Sequence, residues 1–316
     1  MNTCFLAFTS IVGIFVNTFL LKASGNTQHV MIYNAIVGGA QPLFMVIAVL
    51  AARKLKPRNS QRIGFLIYAV CFIFIMLRGE AAAESYILIG ALLSCGAGFY
   101  YVTYSLQLVE YTDDSNRDSA SGVTNTVSAI ISLTFPMLSG ILLSFFNNFT
   151  GYRILFGIVL ALVLAALWAS MHLAPLTNAY DGDTHTHFRD VIPQLLKSKP
   201  ERSVMYMMIF NGIRTGTMTF LVNVLIYQII SSELLVGVNS FVGSILTIIS
   251  AGAYGLIITV HRRQKSIFAA STCVIFCAVM LYFKMSPLTL IIFSAVNSGA
   301  NIFISEPQTN LYFSLI

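Results

Sequence analysis

The fold class is indicated most clearly by the stretch Arg153-Ile-Leu-Phe-Gly-Ile-Val-Leu-Ala-Leu-Val-Leu-Ala-Ala-Leu-Trp168-Ala-Ser-Met-His172-Leu-Ala174. Residues 154–171 carry no charged side chain. A helix needs about 20 mainly apolar residues to cross the hydrocarbon core of a bilayer. This stretch is therefore predicted to be a membrane-spanning helix.

The same pattern recurs along the chain. Apolar residues make up 57% of the 316 residues and charged residues only 9%, whereas about a quarter of the residues in soluble domains are charged. We predict an all-α, polytopic membrane protein of about ten transmembrane helices. The predicted spans are 4–22, 29–52, 62–78, 85–109, 119–146, 153–174, 203–230, 234–260, 266–284 and 287–313.

Lysine and arginine are distributed unevenly between alternate loops, which predicts the orientation. With a cytoplasmic N-terminus, only four fall outside: Lys22, Arg78, Arg153 and Lys284. Thirteen fall inside: Arg53, Lys54, Lys56, Arg58, Arg62, Arg117, Arg189, Lys197, Lys199, Arg202, Arg262, Arg263 and Lys265. The formal charge of +6 is thus explained by membrane topology and does not indicate a nucleic-acid partner. We expect a multi-pass monomer in the cell membrane.

The longest polar stretch divides the chain. We predict an N-terminal six-helix bundle at 1–174, a cytoplasmic linker at 175–202 and an incomplete C-terminal bundle of four helices at 203–316. His185 and His187, flanked by carboxylates, leave a weak metal site open as an alternative to a solvated linker. Cys273 and Cys277 share a helical face, which favours packing, with a metal or redox pair as the alternative. We predict no cofactor and no metal.

A weak internal repeat has an offset of about 205 residues. Phe15-Val-Asn17-Thr-Phe-Leu20 is similar to Phe220-Leu-Val-Asn223-Val-Leu225, and Asn34 aligns with Asn239. The basic turn beginning at Arg53 aligns with the turn from Arg262 to Lys265. Counterparts of the fifth and sixth spans are then expected near 324–379, so we expect the chain to lack the last two helices of its architecture.

Local motifs resemble those of one transporter family. The loop after the second span is basic, Arg53-Lys54-Leu-Lys56-Pro57-Arg58. The fifth span contains Phe135-Pro136-Met-Leu-Ser139-Gly140, and the sixth opens with Gly151-Tyr152-Arg153. With six spans, a linker and a second set of spans, the chain resembles the major facilitator superfamily (MFS). Two departures are a loop after the second span without the expected acidic residue and a fourth span without arginine near Gly96 and Gly98.

The resemblance implies a secondary active transporter that binds a small solute between two bundles and alternates its access. It also implies that spans one, four, seven and ten line the cavity. Arg214 and Glu306 lie inside spans seven and ten, where charges are costly and default to function. We hypothesise that they pair in one state and separate in another, by protonation or substrate binding; a static ion pair is the alternative. Pro307 is expected to break or kink span ten and expose carbonyl groups.

Further substrate and coupling candidates are polar or aromatic residues inside spans: Asn17, Asn34, Gln41, Tyr101 and Tyr104. For the tyrosines, packing or interface anchoring is the alternative. A cytoplasmic gate is predicted where the acidic loop meets the basic loop, with the candidates Arg53, Arg58, Arg62, Asp113, Asp114 and Arg117. A plain solvated loop is the alternative.

The placement of the histidines and the local motifs distinguish between classes of function. The five histidines are scattered over loops and span ends, without the spacing of a catalytic or metal set, so we do not expect an enzyme. The resemblance implies proton coupling, and the motif at Pro136 favours an antiporter that exports its substrate. A membrane receptor, a scaffold or a non-functional transporter fragment stays open as the alternative. The expected partners are a small-molecule substrate, protons and the lipid bilayer.

Overall fold

The computed structural model describes residues 1–55, 57–113, 115–146, 149–173, 199–217 and 233–313. The described residues exclude most of the predicted linker, including its histidines. They also exclude part of the seventh span, Asp114 and the side chains of Arg53 and Lys54. The described helices are α1 (Asn2–Ser24), α2 (Thr27–Leu55), α3 (Pro57–Arg78), α4 (Tyr86–Tyr111), α5 (Arg117–Ser144), α6 (Thr150–Met171), α7 (Lys199–Thr217), α8 (Glu233–Ile257), α9 (Arg263–Phe283) and α10 (Pro287–Phe313). Short 3-10 helices lie at Gly79–Ser85 and Val260–Arg262.

The helices have the length and composition of membrane spans. Within the described residues, seven continuous helical stretches are long and apolar enough to cross a bilayer, one of which comprises α3, the following 3-10 helix and α4. Many large apolar side chains point outward, among them Leu77, Leu256 and Phe268, each more than three-quarters exposed. In a bilayer these side chains contact lipid, which replaces a soluble protein's core for outward-facing residues. The all-α, multi-span class is therefore confirmed, while the count of ten spans stays a prediction.

The described residues divide into two units. The first unit contains α1 to α4, the second half of α5 from Ile131, and α6. The second unit contains Thr112–Ile130, which includes the first half of α5, together with α7 to α10. The helix α5 thus contributes to both units, although the predicted bundle boundary lies after residue 174.

The core of the first unit is formed by aromatic side chains and one face of α6. Phe5, Phe72 and Phe156 are fully buried within one cluster, and α3 packs against both α4 and α6. Along α6 the buried residues are Tyr152, Leu155, Phe156, Val159, Val163 and Ala166. Their spacing of three and four places them on one helical face. The remaining faces of α6 are apolar as well, which suits a helix that contacts lipid on its other side.

In the second unit, α10 packs against α7, α8 and α9. The first half of α5 approaches α8 so closely that a Cβ built on Gly122 would overlap the backbone of Gly255. A Cβ on Gly255 would lie 3.1 Å from the Cα of Gly122. Two glycines at a helix crossing permit this backbone contact, as small residues do in membrane helices generally.

This close approach gives a first prediction. Gly122→Ala should lower the stability of the second unit by about 1–3 kcal/mol, because the added methyl group forces the two backbones apart. Gly140, also in α5, has nothing within 4 Å of a built Cβ. Gly140→Ala is therefore the matched control and should be neutral or slightly stabilising. The measurement is the Tm of the purified protein in detergent; equal Tm values for the two variants would contradict the prediction.

Candidate functional site

Arg214 is the centre of a polar cluster between α7 and α10. Its Nη1 donates to Asn297 Oδ1 at 3.2 Å, and its Nε and Nη2 donate to Asn211 Oδ1 at 3.2 and 3.0 Å. Its Nη2 also donates to Asn301 Oδ1. Asn211 donates to Ser305 Oγ at 3.2 Å. We call Asn211, Arg214, Asn297, Asn301 and Ser305 the arginine–asparagine cluster.

The partners of the guanidinium are neutral. Amide oxygens satisfy its N–H groups, but within the part of the chain that the structure describes they leave its positive charge without a counter-charge. Arg214 is only half-buried, so this charge is accessible from one side of the cluster. A polar or anionic solute could replace one amide oxygen with its own oxygen, because a guanidinium has five donors in a fixed fork.

The α10 half of the cluster was missed in the sequence. Asn297, Asn301 and Ser305 follow one another at intervals of four, and the Ser305 hydroxyl donates to Asn301 Oδ1 at 3.2 Å. Residues four apart lie on one face of a helix. Three polar residues at this interval in an apolar span are a signal that could have identified the face of α10 opposite Arg214.

Glu306 has different partners from Arg214. Its carboxyl group accepts hydrogen bonds from the side chains of Asn125 and Ser121 in α5. The side chain is half-buried. The pair predicted from the sequence is thus separated in this structure, with one member held by asparagines of α7 and α10 and the other by α5. Their pairing in another state stays a proposal.

Pro307 does not break α10, which runs continuously from Pro287 to Phe313. A proline lacks the N–H group that would bond the carbonyl four residues earlier, here that of Phe303. The hydroxyl of Ser266 in α9 donates to this carbonyl at 3.0 Å. The expectation of a broken helix was therefore wrong at this position, and the Phe303 carbonyl is not left exposed, because a neighbouring helix supplies the missing donor. A kink at Pro307 stays a prediction.

A second polar network, which the sequence did not predict, joins the ends of four helices. Asp118 in α5 pairs with Arg263 in α9, with Nε 2.9 Å from Oδ2, and both side chains are almost fully buried. Tyr254 of α8 donates its hydroxyl to Asp118 Oδ1 at 2.6 Å. Asn310 of α10 donates to the same oxygen at 2.9 Å. We call Asp118, Tyr254, Arg263 and Asn310 the buried ion-pair network.

Glu306 is linked to the buried ion-pair network through α5. Asn310 Nδ2 lies 3.4 Å from Ser121 Oγ, and Ser121 is also a partner of Glu306. A chain of hydrogen bonds therefore connects the Glu306 carboxyl to the carboxylate of Asp118. Such chains let the protonation of one member alter the bonding of the others.

In the first unit, two of the predicted residues meet. Asn34 Nδ2 donates to Asn17 Oδ1 at 2.9 Å, joining α1 to α2. Gln41 is half-buried in α2, immediately before Pro42. The spans of Asn17 and Asn34 thus present amide groups to one another, as expected for polar residues on facing helices.

The predicted tyrosines lie beside an aromatic stack on α4. Tyr101 is 39% exposed and meets Phe5 edge-on at 5.6 Å. Tyr104 is half-buried and stacks on Tyr100 at 5.9 Å. Tyr100 itself is buried, stacks on Phe5 and donates its hydroxyl to Asn2 at 2.6 Å. Tyr101 and Tyr104 are therefore accessible enough to contact a solute, whereas Tyr100 serves packing.

Three of the predicted gate arginines have hydrogen-bond partners in this structure. Arg58 donates to the carbonyl of Met171, and Arg62 Nη1 lies 3.3 Å from Asn59 Oδ1. Arg117 donates to the carbonyl of Thr112 at 3.2 Å. The carbonyl of Asp113 accepts the N–H of Arg117 at 2.9 Å and so supports the start of α5.

Among the described residues, no group of three histidine, cysteine or acidic side chains is arranged to hold a metal ion.

One family model matches nearly the whole chain. The family described as Major Facilitator Superfamily matches residues 4–315. The uncharacterised protein YqgE of Bacillus subtilis (strain 168) is 26% identical over 302 residues, covering 96% of this chain and 69% of that protein. An uncharacterised protein encoded in the sodM 3′ region of Geobacillus stearothermophilus is 29% identical, covering 52% of this chain and 77% of that protein.

Solved structures with the same fold include transporters that are named for different substrates. A variant of the E. coli fucose:proton symporter FucP has a TM-score of 0.72 at 13% identity, covering 99% of this chain and 86% of that one. The human organic anion transporter MFSD10 has a TM-score of 0.71 at 12% identity, with the same coverage of both chains. At these identities the likeness shows the fold alone.

Proposed function

Since this chain belongs to the major facilitator superfamily, we propose that it moves a small polar solute across the cell membrane by alternating access. In this mechanism two helical bundles expose a midplane site to each side in turn. We propose the bundles at 1–174 and 203–316, with the chain between them as a cytoplasmic linker and the N-terminus in the cytoplasm. The transporter acts as a monomer.

The observation that carries this proposal is the arginine–asparagine cluster. A charged residue in a membrane helix is costly and is retained where it serves a function. Arg214 is solvated by three asparagine oxygens and lacks a counter-charge among the described residues. This arrangement suits a solute with a carboxylate or several hydroxyl groups. Further substrate and coupling residues are proposed in the first half of the chain, namely Asn17, Asn34, Gln41, Tyr101 and Tyr104.

Glu306 is the proposed proton site. Its partners, Ser121 and Asn125, are neutral, so a protonated carboxyl group can stay in the same place. When the proton leaves, the carboxylate is free to pair with Arg214 in another state of the cycle. The direction of transport is proposed as export, from the motif around Pro136. The cytoplasmic gate is proposed at Arg53, Arg58, Arg62, Asp113, Asp114 and Arg117.

The test is transport by the purified protein in proteoliposomes. The probes are fucose, xylose and alanine, measured as counterflow and as accumulation driven by a pH gradient. Counterflow of at least one probe is expected. If none of the three moves, the proposal of a polar solute is contradicted.

A second prediction separates coupling from binding. Glu306→Gln should retain counterflow, because glutamine keeps hydrogen-bonding capacity towards Ser121 and Asn125. It should reduce accumulation driven by the pH gradient by about tenfold or more, since the variant cannot carry a proton. The matched control is Glu84→Gln, which neutralises an exposed carboxylate outside the membrane helices. Equal loss of counterflow and of gradient-driven accumulation would contradict the role in coupling.

A further inference from the structure

A separate cavity lies at one end of the first unit. Its volume is about 300 Å³, at the lower end of the range for small-ligand sites. It is formed by the C-terminal end of α1, the 3-10 helix after α3 and the start of α6, which is the end predicted to face outside. The residues that line it include Phe19, Gly79, Glu80, Phe149, Thr150 and Arg153. It contains none of the residues proposed above for transport.

The cavity carries a free guanidinium. Arg153 is exposed, and within the described residues its guanidinium has no hydrogen-bond or ion-pair partner. The ammonium of Lys22 lies 5.4 Å from the ring centre of Phe149 and 5.7 Å from that of Tyr152, both of which line the cavity. Glu80 contributes one carboxylate. One cation, Arg153, thus lines the cavity and a second, Lys22, lies beside two of its rings, against one lining carboxylate.

The backbone is shaped to hold the arginine. Gly79 has a φ of 57°, in the region that favours glycine. A Cβ at this position would lie 2.9 Å from Arg153 Nη2. Glycine therefore serves two purposes here, since it permits the turn and leaves the guanidinium room against the backbone.

The start of α6 adds to the positive potential. Its N-cap residue, Phe149, makes no side-chain capping bond, and the first turn contains no acidic residue. The N-cap side chain therefore does not satisfy the N–H groups of the first turn, and the positive end of the helix dipole adds to the charge of Arg153. Phe149, Thr150 and Arg153 place this end of α6 at the cavity.

We propose that this cavity is a binding site for a phosphate group, separate from the transported solute. Phosphate oxygens in proteins are bound by guanidinium groups, ammonium groups and helix N-termini, and all three lie at or beside this cavity. The cavity lies at the predicted ends of the spans, where lipid headgroups are expected. Two sources supply the same chemistry, namely an anionic phospholipid headgroup and free phosphate ion. The aromatic rings of Phe19 and Phe149 add an apolar wall beside the charged group.

The test uses the purified chain in neutral detergent. The apparent Kd is measured from the rise in Tm with added short-chain phosphatidylglycerol and, separately, inorganic phosphate, with chloride at matched ionic strength as the reference. We expect stabilisation by at least one phosphate probe. Stabilisation by the lipid alone assigns the site to headgroups, and stabilisation by both shows that free phosphate also enters.

Two variants and one control decide the result. Arg153→Gln should weaken binding of the probe by about tenfold or more, because a charge-assisted contact is lost. Glu80→Gln should tighten binding by roughly twofold, as expected for removing an exposed like charge. The matched control is Arg78→Gln, at the same end of the unit, whose guanidinium lies over the Phe74 ring outside the cavity.

The proposal is overturned if neither probe raises the Tm, or if the rise is the same for Arg153→Gln and for the unmodified chain. Should Arg153→Gln fail to fold, Glu80→Gln still decides the question. In that case unchanged or weaker binding by Glu80→Gln overturns the proposal. Because the readout is binding to the purified chain, it is independent of whether any solute is transported.

Discussion

Replacing Arg214 with glutamine is expected to reduce transport by about a hundredfold or more while the protein stays in the membrane. The loss is expected because the variant lacks both the positive charge and the planar guanidinium, whose five N–H donors can make two or more bonds to a solute. The variant is expected to stay folded because the partners of Arg214 are neutral. Removing it leaves Asn211, Asn297 and Asn301 able to bond one another, and it leaves no buried carboxylate unpaired.

The measurements are counterflow in proteoliposomes, membrane abundance and Tm. Arg202→Gln is the matched control, because it removes the same charge from an exposed position of the same helix. Arg214→Lys should give an intermediate loss, since it keeps the charge but not the planar fork. If Arg214→Gln disappears from the membrane while Arg202→Gln does not, the residue serves to hold α7 and α10 together and the transport role is contradicted.

The largest effect on stability is expected at Arg263. Arg263→Met should destabilise the second unit by about 3–5 kcal/mol, because it leaves a buried carboxylate without its counter-ion. Asp118 would retain Tyr254 and Asn310 as donors, at 2.6 and 2.9 Å. Two neutral donors do not compensate for a desolvated charge. The measurement is the Tm in detergent.

A double-mutant cycle separates the ion pair from simple loss of packing. Adding Asp118→Asn to Arg263→Met should recover part of the stability, because the stranded charge is then gone. Arg262→Met is the matched control, since Arg262 is an exposed neighbour in the same turn. The assignment fails if Arg262→Met and Arg263→Met lower the Tm equally, or if the double variant is less stable than Arg263→Met alone.

The helices could be predicted because the hydrocarbon core imposes one strong constraint. A span must be long and apolar, and this signal is local. The predicted bounds 287–313 agree with α10 at both ends, and 153–174 agrees with α6, Thr150–Met171, to within three residues. Arg214 and Glu306 were identifiable for the same reason, since a charge within such a stretch is conspicuous.

The partners of these charges were not predictable in the same way. Arg263 looked like one more basic residue in a cytoplasmic turn, and Asp118 like the end of an acidic loop. Their contact joins positions far apart in sequence, and helix periodicity says nothing about which helices meet. The Asn297–Asn301–Ser305 interval was within reach of a periodicity argument. The effect of Pro307 was not, because the donor that compensates for it, Ser266, belongs to another helix.

The buried ion-pair network also has a consequence for how the chain is made. Asp118 precedes Arg263 by 145 residues and Asn310 by 192. At about 5–20 residues per second, the ribosome adds Arg263 roughly 7–30 s after Asp118. During that interval α5 has been synthesised but its acidic end has no partner. The first half of α5 therefore completes its contacts only after α8, α9 and most of α10 have been synthesised, and four of the described helices separate its synthesis from that of its last partner.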